Sequence, residues 1–236
     1  MTSPSPELAI IVFAYNEAEN LAPVLEELLD WLDRHEPRFE LVFVDDGSHD
    51  GTAEVARALL AGRPAQVVRH PENRGIGAAL KSGVAHCSAP WVTFLPADGQ
   101  IEPAAIGTLR AAAGDGAVDA VLSIYADRRD GLQRTLLSWG VRALIQLLLG
   151  VRLESDGPYL FRRSLFDASL LKPDTFFLNF EFPIRLGRER IPQRTVTIHC
   201  RPRFSGRSKS AKLSQVARVT RDLIGLRLRL WSQPGI

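Results

Sequence analysis

Residues 39–61 read FELVFVDDGSHDGTAEVARALLA. A run rich in β-branched and aromatic residues ends in two aspartates, a turn of small and polar residues follows, and apolar residues then return at helical spacing. This predicts a strand, a tight loop and a helix capped near Ser48 to Asp50. The same order recurs on either side. Upstream, LAIIVF (8–13) is followed by AYNEAENL, and from Asn20 onward Leu21, Val24, Leu25, Leu28, Leu29 and Leu32 keep helical periodicity. Downstream, AQVVRH (65–70) starts a third strand, NRGIGAALKSGVAHC (73–87) a helix opened by glycine, and WVTFL (91–95) a fourth strand. Strands alternating with helices at this spacing predict an α/β fold, with a mostly parallel sheet flanked by helices on both faces.

Ligands of such sheets bind beyond the carboxyl ends of the strands. The residues that matter are therefore Tyr15, Asn16 and Glu17 after the first run, Asp45 and Asp46 after the second, and Asp98 and Gln100 after the fourth. In the stretch FLPADGQIEP (94–103) one carboxylate and one amide follow the strand, and Pro96 stands where a second carboxylate would complete an evident metal site. Taken singly, each feature has a plain structural reading. Asp-Asp-Gly-Ser is a common turn with side-chain hydrogen bonds to its own backbone, and Asp98 suits a helix N-terminus. Gly75 and Gly77 lack the full dinucleotide-binding spacing and no Walker Lys-Ser/Thr follows them, so they make a weak phosphate cradle. What joins these residues is their common edge of one sheet.

The 236 residues, 45% hydrophobic and 24% charged, suffice for one large α/β domain or two small ones. Cys87 and Cys200 lie far apart, without metal-ligand spacing, which points to a reducing cytoplasm rather than a disulfide scaffold. The N-terminal MTSPSPEL has no signal-peptide pattern, and no apolar run reaches the roughly 18 residues of a membrane span. The net charge of +2 hides an asymmetry: residues 201–236 hold nine Lys and Arg against one acidic residue, whereas residues 1–200 hold 20 basic against 26 acidic. Such a tail suits an anionic partner, whether phosphate, lipid headgroup or nucleic acid.

The ordered motifs AYNEAENL, VDDGSHDGT and NRGIGAALKSG, then a strand ending in an acidic motif, resemble the inverting family 2 glycosyltransferases of GT-A (Rossmann-like) fold. Within that family the chain is similar to polyprenol-phosphate sugar synthases of the dolichol-phosphate mannose synthase type. The likeness continues through LQRTLLSWGVRALIQLLLGVRL, PYLFRRSLF, FEFPIRLGRERI and RFSGRSK, up to about Lys212. It implies a catalytic domain over residues 1–210, with a donor half to about 125 and an acceptor half beyond it, and a basic amphipathic C-terminal helix over 211–236. It implies a nucleotide-diphosphate sugar, GDP- or UDP-linked, in a pocket lined by Ala14, Tyr15, Glu17, Asp45, Asp46, Gly77, Lys81, Ala97 and Asp98. The family's Asp-Ala-Asp-x-Gln metal motif falls on Pro96, Ala97, Asp98, Gly99 and Gln100. Asp98 and Gln100 would then hold Mg2+ or Mn2+, which needs few protein carboxylates when water and substrate phosphate complete its shell. Arg203, Arg207 and Lys209, around Gly206, suit a loop over a diphosphate or acceptor phosphate. Arg134 matches an arginine that meets the acceptor phosphate. The usual Gly-x-Arg after the fifth strand is missing at LSIYA, where Arg128 or Arg129 would substitute.

Residues 132–150 form a helix about 28 Å long whose polar residues Arg134, Ser138, Arg142 and Gln146 share one stripe. Two arginines inside it favour lying in a membrane interface over spanning; burial in a core or in a homodimer is the alternative. In 211–231, Val216, Val219, Leu223, Leu226 and Leu230 share a face beside several arginines, the pattern of a basic surface helix on anionic lipid. Together they place the protein peripherally on the cytoplasmic leaflet, with a polyprenyl phosphate as acceptor. Trp231 is the one aromatic residue of that helix, which leaves no stacking platform for nucleic acid. An already anionic acceptor phosphate needs no general base; for a sugar or alcohol acceptor, Asp156 or Glu181 would serve, beside Asp98 and Arg134 in catalysis. Two other readings stay open: the same donor with a soluble or glycan hydroxyl acceptor, and a catalytically inactive nucleotide-sugar-binding partner protein.

Overall fold

The computed structural model of the chain describes residues 5–114, 116–126, 132–151, 155–202 and 213–231, with the backbone alone for 132–139, 141, 213–219 and 231. Its centre is the strand β1 (Leu8–Ala14), flanked in parallel by β2 (Phe39–Asp45) and β4 (Trp91–Pro96). Covered on both faces, β1 can be apolar throughout, and its side chains alternate between two cores. Leu8, Ile10, Val12 and Ala14 join the leucines of α1 (Ala18–His35) and Ile106 and Leu109 of α4 (Ala104–Ala113). Ala9 and Ile11 enter the opposite core with Leu80 and Val84 of α3 (Ile76–Ala85) and Phe182 and Leu186 of α6 (Leu178–Arg188). Of the periodic apolar residues of α1, Leu21, Val24, Leu25, Leu28 and Leu32 are buried, as their spacing predicts, and Leu29 is half-buried.

Among the described residues seven strands run in the order β3-β2-β1-β4-β6-β5-β7, with β3 spanning Ala65–Arg69, β5 Ala120–Tyr125, β6 Leu160–Arg162 and β7 Gln193–Ile198. Only the three-residue β6 is antiparallel to its neighbours β4 and β5; the remaining pairings are parallel. The chain leaves β1 toward β2 and β3 on one side and returns to β4 on the other. The loops after β1, β2 and β4 therefore diverge over one crevice, the place where open α/β sheets bind ligands. The helix α2 (Thr52–Leu59) begins just after Asp50, whose carboxylate accepts the Thr52 N–H at 3.1 Å.

A third apolar cluster joins α5 (Leu132–Leu149), α6 and α7 (Leu213–Trp231) through Ile145, Leu149, Phe177, Ile184, Leu223 and Leu226, with Leu230 packed against it. This corrects the expected lipid-facing side of the C-terminal helix, because Leu223, Leu226 and Leu230 turn inward against protein. Ile224 and Leu228 are its exposed apolar residues, at 50% and 58%, and on α5 Leu147 is 80% exposed. Two polar links also hold α7. Thr175 Oγ1 donates to Asp222 Oδ2 at 2.7 Å, and Arg229 Nη2 reaches Oε2 of the fully buried Glu181 at 3.0 Å.

The segment before α6 packs on the first turn of α3 so closely that glycine is required there. The Ala78 N–H donates to the Asp174 carbonyl at 3.2 Å, and Gly75, at φ +96°, faces the same carbonyl. A methyl at Gly77 would stand 2.6 Å from the Thr175 oxygen and 2.7 Å from the Asp174 carbonyl carbon. Gly77→Ala should therefore lower the thermal unfolding midpoint by about 3–8 °C, read by differential scanning calorimetry. Arg229→Leu leaves Glu181 buried with one of its two cations and should destabilise the fold by about 1–3 kcal/mol, read as a lower urea midpoint.

Candidate active site

The crevice is assembled from loops hydrogen-bonded to one another. Asn16, at φ +54°, accepts the left-handed conformation that asparagine tolerates better than most residues. Its N–H donates to Ser48 Oγ at 2.8 Å and its Oδ1 accepts the His49 N–H at 2.9 Å. The Glu17 N–H donates to Thr52 Oγ1 at 3.0 Å, and the Ala18 N–H to Asp50 Oδ2 at 3.1 Å. Burial works against the Asp50 carboxylate, but its bonds from Thr52 and Ala18 outweigh that and hold its pKa below the ordinary value. The loop carrying Tyr15 and Glu17 is thus fastened to the loop carrying Asp45 and Asp46.

The two adjacent aspartates do different work. The Asp46 carboxylate accepts the Arg74 and Gly75 N–H groups at 2.9 and 2.8 Å and contacts His70 Nδ1 at 2.7 Å, which ties β2 to the start of α3. His70 Nε2 lies 2.9 Å from Ser82 Oγ. This Ser-His-Asp chain is structural: Ser82 sits inside α3, where the neighbouring N–H groups are committed to helix bonds and supply no oxyanion hole. Asp45 is fully buried. Its Oδ1 accepts the Ser48 N–H at 3.0 Å, whereas Oδ2 has Arg69 Nε at 3.2 Å and no well-aligned hydrogen bond. The ion pair and the missing hydrogen bond describe one contact, close in distance and poor in angle. Among the described residues, Asp45 therefore keeps hydrogen-bonding capacity on Oδ2 that no aligned donor fills.

Across the crevice, Asp98 is 6% exposed and its Oδ1 accepts the Gln100 N–H at 3.0 Å. Arg201, just after β7, fixes this loop through its donors: its backbone N–H bonds the Gln100 carbonyl at 2.9 Å, its Nε bonds the Gly99 carbonyl at 2.6 Å, and its guanidinium pairs with Glu27. The hydrogen bond with Glu27 raises the Arg201 pKa further. Gln100 Nε2 lies 3.9 Å from the Cys200 sulfur. Asp98 and Gln100 offer a carboxylate and an amide oxygen, the hard donors that suit Mg2+ or Mn2+. Among the described residues no group of three or more His, Cys, Asp or Glu is placed to hold a metal ion.

Ala14 and Ala97 stand at the ends of β1 and β4, where the Asp46 N–H bonds the Ala14 carbonyl at 2.9 Å and the Ala97 N–H bonds that of Phe13 at 3.0 Å. Lys81 donates to Asp174 Oδ1 at 2.8 Å and to the Lys172 carbonyl at 3.1 Å, so Gly77 and Lys81 both meet the segment before α6. Asp156 pairs with Arg142 of α5. Glu181 receives Arg185 Nε and Nη2 at 3.0 and 2.9 Å in addition to Arg229. Arg128, Arg203, Arg207, Lys209 and the Arg134 side chain lie outside the described residues. Arg69, Arg201 and Asp174 were missed from sequence. Arg69 closes the third strand beside Asp45, a signal that could have been used; the other two act from far along the chain.

Comparison with known proteins agrees with this architecture. The model of the family described as glycosyl transferase family 2 matches residues 9–170. Dodecaprenyl-phosphate galacturonate synthase of Rhizobium johnstonii is 28% identical over 98% of this chain and 70% of its own length. Undecaprenyl-phosphate 4-deoxy-4-formamido-L-arabinose transferase of Edwardsiella ictaluri is 32% identical over 69% of this chain, and the match spans 51% of that protein. Among solved structures, glucosyl-3-phosphoglycerate synthase from Mycobacterium tuberculosis, crystallised with Mn2+, UDP and phosphoglyceric acid, superimposes with a TM-score of 0.72 at 20% identity, over 94% of this chain and 78% of that one. A mannosyltransferase from Pyrobaculum calidifontis, crystallised with GDP-Man and Mn2+, gives 0.68 at 20% identity, over 96% and 65%. These structures share the fold, and with a family match across most of the sheet and its crevice, the chain belongs to glycosyl transferase family 2.

Proposed function

We propose that the chain transfers a hexose, of mannose or glucose type, from a GDP- or UDP-linked donor to a polyprenyl phosphate with inversion, at the cytoplasmic membrane surface. The observation that carries this reading is the crevice at the switch point of the sheet, where Asp45 and Asp46 follow from β2 and Asp98 and Gln100 from β4, and where the Asp45 Oδ2 has no aligned donor among the described residues. A nucleoside supplies the N–H or O–H groups that such an oxygen takes. Tyr15 and Glu17 flank the same crevice. The named activities of the two polyprenyl-phosphate relatives support the acceptor class.

In this reading Asp98 and Gln100 hold the divalent cation, which when bound offsets charge on the departing diphosphate. Arg201 keeps their loop in place. The acidic residues further support an acceptor that arrives ionised. Asp156 faces Arg142, and both oxygens of Glu181 are taken by guanidinium groups, so an alcohol would have to displace an ion pair to find its base. A phosphate monoester needs no base.

No helix among the described residues is long and apolar enough to cross a membrane. Peripheral attachment is supported by the exposed Leu147 of α5 and by Ile224 and Leu228 of α7, the helix that also carries Arg221, whose side chain is 74% exposed. Apolar insertion with cationic contacts is the chemistry of an anionic lipid surface.

Two measurements test this. With Mn2+ present, a UDP- or GDP-sugar should raise the melting temperature; Asp98→Asn or exhaustive chelation should weaken donor binding at least about tenfold. Failure of every donor to shift the wild-type protein overturns the donor assignment. In sedimentation with phosphatidylglycerol vesicles, wild-type protein should pellet and the Leu147→Glu/Leu228→Glu variant should stay largely in solution. Equal pelleting of both would remove α5 and α7 from the docking surface.

A further inference from the structure

Asp98 and Gln100 stand on a turn that has reason to be loose. Gly99 between them takes φ +71°, and Pro96, at the end of β4, occupies the place where a second carboxylate would complete an evident metal site. A cation such as Mg2+ demands near-ideal octahedral geometry and dehydrates reluctantly. With one carboxylate and one amide to offer, the turn must hold its ligands in place beforehand. Its own contribution is the Gln100 N–H, which donates to Asp98 Oδ1 at 3.0 Å.

The remaining restraint comes from outside the turn. Arg201 donates from its backbone N–H to the Gln100 carbonyl at 2.9 Å and from Nε to the Gly99 carbonyl at 2.6 Å, so one residue grips two consecutive peptide units. The two Nη atoms meet Glu27 of α1 as a fork: Nη1 donates to Oε1 at 3.0 Å and Nη2 to Oε2. Paired charged bonds of this kind fix orientation as well as distance. Glu27 is itself set by a helix that buries Leu25 and Leu28, so the fork ties the turn to the core. The carboxylate has a second effect. A guanidinium bonded to a cation-binding turn repels the cation, and Glu27, with Glu102 Oε1 at 3.9 Å from Nη1, offsets that charge.

We propose that Glu27, acting through Arg201, is a positioning residue for the cation site: it fixes the Asp98–Gln100 turn and offsets the guanidinium charge, so that one carboxylate suffices. This rests on the assignment of the cation to Asp98 and Gln100 in the preceding subsection. Glu27→Gln keeps the shape of the fork and removes its charge. Arg201→Lys keeps the charge and removes the planar fork. Arg63→Gln, which breaks another ion pair of α1, that with Asp33, controls for general loosening of the helix.

The test is calorimetric titration of Mn2+ into the full chain in the presence of UDP or GDP, with the heat of Mn2+ binding to the diphosphate alone subtracted. Glu27→Gln and Arg201→Lys should each weaken Mn2+ binding about tenfold, the effect of losing a partner that orients metal ligands. The double variant should lose little more than either single one, because the two residues act as a unit. Both should lose more affinity for Mg2+ than for Ca2+, whose coordination tolerates a looser site. Diphosphate binding without metal, and Mn2+ binding by Arg63→Gln, should stay within about twofold of wild type. Wild-type Mn2+ affinity in both variants overturns the positioning role. An equal loss in Arg63→Gln, or an equal loss of diphosphate binding without metal, overturns it too, assigning the effect to the helix or to the nucleotide pocket. If wild-type protein takes up no Mn2+ with either diphosphate, the cation assignment falls and the positioning role with it.

Discussion

The Asp46 carboxylate is the constraint on which the crevice depends. Three donors converge on it from the residues between β3 and α3, so the end of β2 and the start of α3 move as one piece. That start of α3 is in turn the surface against which the segment before α6 is laid, with glycine at 75 and 77 permitting the approach. Asp45, the residue before it, is wholly buried and meets Ser48 and Arg69 instead. Two adjacent aspartates that look equivalent in sequence thus hold different partners.

The fold through β4 was largely legible from sequence because its information is local. β1, β2 and β4 are short apolar runs punctuated by polar turns, and the leucines of α1 repeat at the spacing that buries them. The part beyond β4 was less so. β6 is three residues long and gains its place only through pairing with β4 and β5, which no local pattern reveals. The inward face of α7 has the same composition whether lipid or protein covers it, and the choice was made by Ile145, Leu149 and Phe177, distant in sequence.

The candidate site divides in the same way. Asp98 and Gln100 could be found because a strand end and a turn announce them. Arg201, which holds their loop, is about a hundred residues away, and its significance lies in bonds to Gly99, Gln100 and Glu27.

The contact between Glu181 and Arg229 has a consequence for biosynthesis. Glu181 is buried on α6, and one of the cations it meets belongs to α7. Until α7 has left the ribosome, this carboxylate is only half compensated, and removing a charge from water without its partner is costly. The sheet and α1 to α4 can form during synthesis. Closure of α6 must wait for a helix whose arginine lies 48 residues further along the chain.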